Sequence, residues 1–185
     1  KKTKIKLNTK NVYSKGMLEN VCLAIKIALD LNIKKKIIQK TLPKLYFVGR
    51  FQYLNKGKIK NKLCRNETIL IDGAHATTDA KNLASYLKNI KIPKYGIWAM
   101  TKNKEPDLFI KQLKGIFKKV VTMPIENEFN SVSAHKLYKI ATKNKFKSEK
   151  SDSFTEALYK ISSSEKKLIV CFGSLYNCGN ILNKN

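Results

Sequence analysis

Short apolar segments that alternate with amphipathic ones along residues 68–185 restrict the fold more than any other feature of this sequence. Strand-like runs such as "TILI" (68–71) and "KLIVCF" (167–172) are each followed by a segment with helical spacing. Strands that are apolar throughout are typical of sheets covered on both faces, and alternation of strands with helices favours parallel connections. We therefore predict an α/β domain with a Rossmann-like, mostly parallel sheet flanked by helices.

The other elements of this domain follow the same pattern. Ligands of such sheets bind beyond the carboxyl ends of the strands, so the strand-to-helix turns are the places where functional residues are expected. The predicted strands are 68–71, 94–100, 118–123 and 167–172, the predicted helices are 78–89, 106–117, 132–142, 152–161 and one from Ser174, and the turns are 72–78, 101–105, 124–131 and 173–175.

The amino-terminal part differs in character from the rest. Residues 1–12 are polar and basic without a clear period, and helical spacing begins at Gly16. A second short helix is predicted over 33–42, followed by strands at 45–54, which is aromatic and branched, and near 59–64. A boundary near Tyr46 would separate a small helical piece, 1–45, from an α/β domain, 46–185.

The net charge of +25 raises the question of nucleic-acid binding, but the type of basic residue argues against it. Of the 38 basic residues 36 are lysines, because Arg50 and Arg65 are the only arginines, and the lysines are spread along the whole chain. Surfaces that read nucleic acids usually use the arginine fork. We predict no specific nucleic-acid partner.

The cysteines and the hydropathy pattern narrow the class further. No run of about 18 apolar residues is present, so no membrane association is predicted. The four cysteines form no CxxC pair, which favours reduced thiols in a cytoplasmic protein, with Cys22 and Cys171 as small core residues. The sequence also lacks a GxxxxGK[ST] phosphate loop and the HExxH and GxSxG motifs.

The turn "DGAH" after the strand 68–71 allows two interpretations. Asp72 could accept hydrogen bonds from a ribose or an amine, His75 could donate to a carboxylate or phosphate, and Gly73 would let a ligand come close. In the alternative, Thr77 or Thr78 caps the helix and the turn has no ligand. The local pattern does not separate the two.

Two further positions carry the same ambiguity. Arg50 is an arginine in a chain that uses lysine, which suits a phosphate, although it could equally pack its stem at a strand edge. Ser174 follows Gly173 at the end of a buried strand and suits an anion, although it is also an ordinary helix N-cap.

Taken in order, four segments resemble the C-terminal domain of folylpolyglutamate synthase / dihydrofolate synthase, a family of the Mur ligase superfamily. They are "GRFQ" (49–52), "ILIDGAH" (69–75), "IWAMTKNKEPD" (97–107) and "VCFGSLY" (170–176), and upstream "KGMLENVCLAIKIAL" (15–29) resembles the end of the central ATPase domain of that family. The resemblance covers almost the whole chain. It implies a Mur ligase C-terminal domain fold at 46–185, with 1–45 as the end of the ATP-binding domain.

The resemblance also implies an activity and its residues. The family uses ATP to join L-glutamate to dihydropteroate or a folate through an acyl phosphate, with Mg²⁺ ligands and the phosphate loop upstream of this segment. Asn20, Arg50 and Asp72 would bind ATP, and Ser174 would bind glutamate. His75 would serve catalysis by binding the acyl phosphate or the incoming glutamate. A cytoplasmic monomer, inactive as this segment alone, is expected.

One departure from the family pattern leaves other functions open. The family commonly continues DGAH with Asn-Pro, whereas Ala76 and Thr77 follow here. A Mur-type ligase for another amino acid or acceptor is therefore one alternative. A basic nucleic-acid-binding module on a decayed ligase fold is the other.

Overall fold

The computed structural model describes residues 4–185, so the part of the domain prediction that concerns residues 1–3 lies outside the described residues. The chain divides into two compact units, Lys1–Val48 and Gly49–Asn185. Each unit is described by itself below. That the first unit is the end of an ATP-binding domain stays a prediction.

The first unit contains the two predicted helices. Helix α1 (Lys15–Asp30) is capped by Ser14, whose hydroxyl accepts the Met17 N–H, and α2 (Lys35–Thr41) runs into a 3-10 turn, Leu42–Lys44. Its small core consists of Val21, Ile38 and Leu42 with partly buried neighbours. The prediction that Cys22 is a core residue is wrong: Cys22 is exposed, because it lies about 100° around the helix from its buried neighbour Val21.

The second unit contains six strands, which are β1 (Gln52–Tyr53), β2 (Glu67–Asp72), β3 (Lys94–Trp98), β4 (Lys119–Thr122), β5 (Ser148–Lys150) and β6 (Lys167–Phe172). They form one sheet with the order β1-β2-β6-β3-β4-β5. All neighbours pair in parallel except β1, which runs antiparallel to β2 at one edge. The last strand inserts between β2 and β3, so the carboxyl ends of β2, β6 and β3 lie side by side.

Helices cover both faces of this sheet, which confirms the predicted α/β class. One face carries Ile69, Ile97 and Cys171, and it packs against the two helices α7 (Phe154–Ile161) and α8 (Leu175–Asn183). The alternate positions Trp98 and Phe172 stack with Phe109 on the other face. The helices of this unit are α3 (Lys58–Lys62), α4 (Thr77–Lys88), α5 (Pro106–Lys111), α6 (Ala134–Lys143), α7 (Phe154–Ile161) and α8 (Leu175–Asn183).

Two strand predictions are wrong and one strand was not predicted. Only Gln52–Tyr53 of the predicted strand 45–54 forms a strand, because left-handed φ values of 67° at Gly49 and 46° at Phe51 place Arg50 in a turn before it. Most of the predicted strand 59–64 belongs to the helix Lys58–Lys62, in which Ile59 is the buried side chain. Strand Ser148–Lys150 escaped prediction because it is a short polar edge strand.

Candidate functional site

Three strand ends meet at one edge of the sheet of the second unit and line a cleft. The order β2-β6-β3 places the turns after Asp72, Phe172 and Trp98 next to one another, which is the edge where such sheets bind ligands. The cleft has a volume of about 310 Å³ and is lined by His75, Thr101, Asn103, Lys104, Glu128, Asn130, Ser174, Leu175 and Tyr176.

Asp72 ends strand β2 and lies beneath this edge, with only 1% of its surface exposed. One carboxylate oxygen, Oδ2, accepts the backbone N–H of Phe51 at 2.8 Å, and the other, Oδ1, accepts the N–H of Ala74 at 2.7 Å. Burial raises the pKa of Asp72 to about 6; the Asp79 carboxylate adds to this, and the two N–H donors and the Arg50 guanidinium oppose it. Asp72 therefore contacts two backbone turns from inside the protein.

The turn that carries Arg50 is fastened to the DGAH turn by its backbone as well. The N–H of Gly73 donates to the carbonyl of Gly49 at 2.6 Å, and the N–H of Gly49 donates to the side chain of Gln52 at 2.8 Å. The Phe51 ring packs edge-on against Tyr86, with 4.9 Å between the centroids. The predicted residues Arg50, Asp72 and His75 are thus brought together.

Asp79, which the sequence analysis missed, connects Arg50 with His75. Its Oδ2 lies 3.8 Å from Nη1 of Arg50 and 3.8 Å from Nδ1 of His75. The same oxygen accepts the backbone N–H groups of His75 and Ala76 at 3.3 Å, so Asp79 caps the start of α4. Its position in the first turn of a predicted helix was the available signal.

His75 lies on the wall of the cleft. Its Nδ1 is 2.8 Å from the carbonyl oxygen of Gly73, a contact in which the ring nitrogen can only be the donor. This contact orients the ring on the wall of the cleft. The helix that follows has Ala76 at its N-cap without a side-chain cap bond, so the alternative in which Thr77 or Thr78 caps α4 is not what the structure shows.

Ser174 is both a helix cap and a residue of the cleft. Its hydroxyl accepts the N–H of Tyr176 at 3.1 Å at the start of α8, as the capping interpretation predicted. Ser174 is also buried. The hydroxyl hydrogen stays available for a ligand, since capping uses only the oxygen as acceptor. Gly173 has a φ of 109°, and a Cβ there would lie 2.2 Å from the carbonyl oxygen of Ala99.

The opposite rim of the cleft is made by two loops that are joined to each other. The N–H of Lys102 donates to the carbonyl of Asn130 at 2.7 Å, and Thr101 and Ser131 form an isolated bridge. Lys102 Nζ also lies 5.4 Å from the centre of the Phe129 ring. These contacts hold the cationic Lys104 and the acidic Glu128 at the cleft, so the lining offers charges of both signs.

Asn20 lies in the first unit, apart from these residues in the chain. It is exposed on α1 and lines an apolar groove of about 300 Å³ between α1 and the segment 33–47. Within residues 4–185, no group of three or more His, Cys, Asp or Glu side chains is placed to hold a metal ion. The described residues therefore do not fit a metal site. No helix in the same residues is long and apolar enough to cross a bilayer.

The family model described as the dihydrofolate synthetase C-terminal domain matches residues 55–184. No curated protein sequence gives a significant match to the chain.

Solved structures share the fold. Mycobacterium tuberculosis folylpolyglutamate synthase complexed with ADP and AMPPCP matches with a TM-score of 0.78 and 15% identity over 93% of this chain and 40% of that one. Escherichia coli FolC in complex with DHPP and ADP gives a TM-score of 0.74 and 16% identity, over 95% of this chain and 40% of that one. Folylpolyglutamate synthase from Thermotoga maritima gives a TM-score of 0.67 and 24% identity, over 91% of this chain and 38% of that one.

The chain thus spans about 40% of the length of the solved structures that it matches. The family model covers the sheet from β2 to β6 and the turns at its carboxyl edge, including those of Asp72, His75 and Ser174. By this match the chain belongs to the family of dihydrofolate synthetase C-terminal domains.

Proposed function

We propose that the complete protein that contains this chain is an ATP-dependent ligase that joins L-glutamate to dihydropteroate or a folate. The observation that carries the proposal is the cleft at the carboxyl edge of the sheet, where His75 and Ser174 line the wall and Arg50 lies in the adjoining turn. The family membership of residues 55–184 supports the same function. Because the chain spans about 40% of the matched proteins, the activity is assigned to the complete protein.

The proposed reaction has two steps. An oxygen of the acceptor carboxylate attacks the γ-phosphorus of ATP, the bond from that phosphorus to the β,γ-bridging oxygen breaks, and ADP leaves. The amine of glutamate then attacks the carbonyl carbon of the acyl phosphate, loses a proton, and phosphate leaves with the carboxylate oxygen. Activation is required because a carboxylate is a poor electrophile, and the protein contributes positioning and charge stabilisation.

On the nucleotide side, Arg50 is the residue proposed to contact the phosphates of ATP. Its guanidinium makes one ion pair, at 3.8 Å with Asp79, and no hydrogen bond within the described part of the chain, so its donors are open to an anion. Asn20 is proposed to contact the adenine end of ATP, and Asp72 is proposed to contact the nucleotide as well. Mg²⁺ is proposed to bind to residues outside this segment.

On the amino-acid side, the cleft offers a partner for each charged group of glutamate. His75, Lys104 and the hydroxyl of Ser174 suit the carboxylates, and Glu128 suits the ammonium group. Oε1 of Glu128 accepts the N–H of Asn130 at 2.8 Å, which fixes the carboxylate on the rim. A cytoplasmic monomer without a nucleic-acid or membrane partner stays our prediction.

The test uses the complete protein with MgATP and a panel of acceptors and amino acids, and it measures the amide product. We expect product with L-glutamate and either dihydropteroate or a reduced folate. Product with another amino acid instead would support the alternative that Ala76, in place of the usual Asn, leaves open. No amide from any pair, together with tight salt-resistant nucleic-acid binding, would overturn the ligase proposal.

The two arginines of the chain supply a matched pair of variants for this assay. Arg50→Ala is expected to lower kcat/KM by at least ~10²-fold, about 2.7 kcal/mol of transition-state stabilisation. Arg65→Ala removes an exposed arginine outside the cleft and is expected to leave the rate unchanged. Equal rates for the two variants would contradict the role of Arg50.

A further inference from the structure

We infer that Asp79 is a positioning residue, which orients the guanidinium of Arg50 from the first turn of α4. The inference rests on the proposed function, since the role of Arg50 at the phosphates of ATP is assigned there. It deepens that function by naming the group that holds this cation in place before the nucleotide binds.

The carboxylate oxygen Oδ2 of Asp79 is fixed by the start of its own helix. It accepts the backbone N–H groups of His75 and Ala76, both at 3.3 Å, and it lies 3.8 Å from Nδ1 of the His75 ring. Asp79 is the third residue of α4, where a carboxylate is also stabilised by the partial positive charge at the amino end of the helix. This oxygen is therefore a fixed point beside the turn of His75.

Arg50 reaches that fixed point from a different turn. Its Nη1 lies 3.8 Å from the same Oδ2, which is the only ion pair that Arg50 makes within residues 4–185. The Asp72 carboxylate also acts on Arg50 electrostatically, but without an ion pair. Because 3.8 Å exceeds hydrogen-bond distance, charge attraction holds the guanidinium while its N–H donors stay open to phosphate oxygens.

The expected effect of this pair is on the orientation of Arg50 and not on the stability of the fold. An ion pair between side chains that are 30% and 31% exposed adds little to stability. An arginine without a partner samples many rotamers, and ordering it on binding costs the equivalent of roughly three- to tenfold in affinity. A guanidinium that Asp79 already orients avoids part of this cost.

Helix α7 provides a matched control for the capping role of Asp79. Glu156 is likewise the third residue of its helix, its carboxylate accepts the backbone N–H of Asp152 at 2.7 Å, and it pairs with Lys160. The residues that line the cleft come from other elements than α7. Glu156→Gln therefore changes a comparable first-turn carboxylate without touching Arg50.

The first experiment compares Asp79→Asn and Glu156→Gln in the complete protein. Asparagine keeps an oxygen that can accept the N–H groups of His75 and Ala76, but it has no charge to attract Arg50. We expect Asp79→Asn to lower kcat/KM for ATP by about three- to tenfold, and Glu156→Gln to lower it less than about twofold. Equal effects of the two variants would overturn the inference. A higher kcat/KM in Asp79→Asn would also overturn it, because Asp79 would then compete with the phosphates for Arg50.

The second experiment asks whether Asp79 acts through Arg50. In the Arg50→Ala background the guanidinium is absent, so adding Asp79→Asn is expected to lower kcat/KM for ATP by less than about twofold further. A residue that only caps α4 would lower kcat/KM by the same factor in both backgrounds. That additive result would overturn the inference.

A last measurement needs neither ATP nor ligase activity, so its failure can be told apart from failure of the proposed function. Arg50 and Arg65 are the only arginines of the 185-residue chain, so labelling with ¹⁵N-arginine gives one side-chain Nε–H signal from each. In wild type we expect the NMR order parameter of the Arg50 Nε–H to exceed that of the exposed Arg65. It should fall toward the Arg65 value in Asp79→Asn but not in Glu156→Gln. An order parameter of Arg50 that is unchanged in Asp79→Asn would overturn the inference.

Discussion

The carboxylate of Asp72 accepts the backbone N–H of Phe51 at 2.8 Å across 21 residues of sequence. This bond joins the end of strand β2 to the turn that precedes the edge strand β1. Its consequence is that the two turns that hold Arg50 and His75 are parts of one structure at the edge of the sheet.

The stability of the chain should depend on pH through Asp72. Its pKa is raised from 3.8 to about 6 in the folded protein, so the folded state binds the proton more tightly than the unfolded state. The stabilising effect is therefore complete below pH 4 and is lost as the pH rises through 6, by up to roughly 3 kcal/mol. Urea unfolding of wild type and of Asp72→Asn, each measured from pH 4 to 7, gives this contribution as the difference between their free energies of unfolding.

The other titrating groups contribute equally to both proteins, so their effects cancel in this difference. The direction in which the difference changes with pH therefore tests the pKa of Asp72 alone. We expect the free energy of unfolding of wild type, relative to the variant, to fall as the pH rises from 4 to 7. A difference that stays constant, or that rises with pH, would show that the Asp72 carboxyl is not buried as described.

Substitution of Gly173 should destabilise the fold strongly. A Cβ at this position would lie 2.2 Å from the Ala99 carbonyl oxygen, and the φ of 109° disfavours any side chain. We expect Gly173→Ala to lower the free energy of unfolding by about 3 kcal/mol. Gly179→Ala is the control: it lies within α8 with no atom within 4 Å of the added Cβ, so it should stabilise by up to ~1 kcal/mol.

Denaturant unfolding of the two glycine variants checks this pair of predictions. The expected outcome is shifts of the midpoint in opposite directions. If both alanines shift the midpoint equally, the close approach of Gly173 to the end of β3 is wrong.

The buried pair at the amino edge of the sheet should respond differently from a surface pair. Lys167 Nζ lies 3.7 Å from Oε1 of Glu67, with both side chains at most 1% exposed, whereas Lys118 pairs with Glu165 at the surface. Lys167→Met leaves a buried carboxylate without its cation and should cost about 3 kcal/mol or more. Lys118→Met should cost less than ~1 kcal/mol. Similar losses in thermal unfolding would contradict the burial of the pair.

Glu128 should set the affinity for the incoming amino acid. In the complete protein we expect Glu128→Gln to raise the KM for L-glutamate by about tenfold, because the charged partner of the ammonium group is lost, with an unchanged KM for ATP. Glu126→Gln is the matched control, since Glu126 lies two residues away and pairs with Lys184 outside the cleft. A parallel rise of both KM values, or equal effects of the two variants, argues against an ammonium site.

Much of the α/β architecture could be predicted because buried parallel strands have continuous apolar sequences. Strands β2, β3, β4 and β6 are of this kind and were predicted within a few residues. Strand Ser148–Lys150 is polar, because only one of its edges is paired and its side chains are largely exposed, so no such signal marks it.

The structure of segment 45–64 could not be predicted from its own sequence pattern. Its aromatic and branched residues favour a strand, but the left-handed turn at 49–51 depends on contacts with Gly73 and Asp72, which lie more than 20 residues away. Asp79 was missed for a related reason: its contacts with Arg50 and His75 arise only when two distant turns are packed together.

The central claim is that the protein activates a carboxylate as an acyl phosphate before glutamate attacks it. The most direct measurement supplies the complete protein with MgATP, L-glutamate and an acceptor whose carboxylate carries ¹⁸O, and analyses the released phosphate by mass spectrometry. The proposed mechanism predicts one ¹⁸O atom in each phosphate formed with amide product. Amide product accompanied by unlabelled phosphate, or phosphate release that does not depend on glutamate and acceptor, would contradict it.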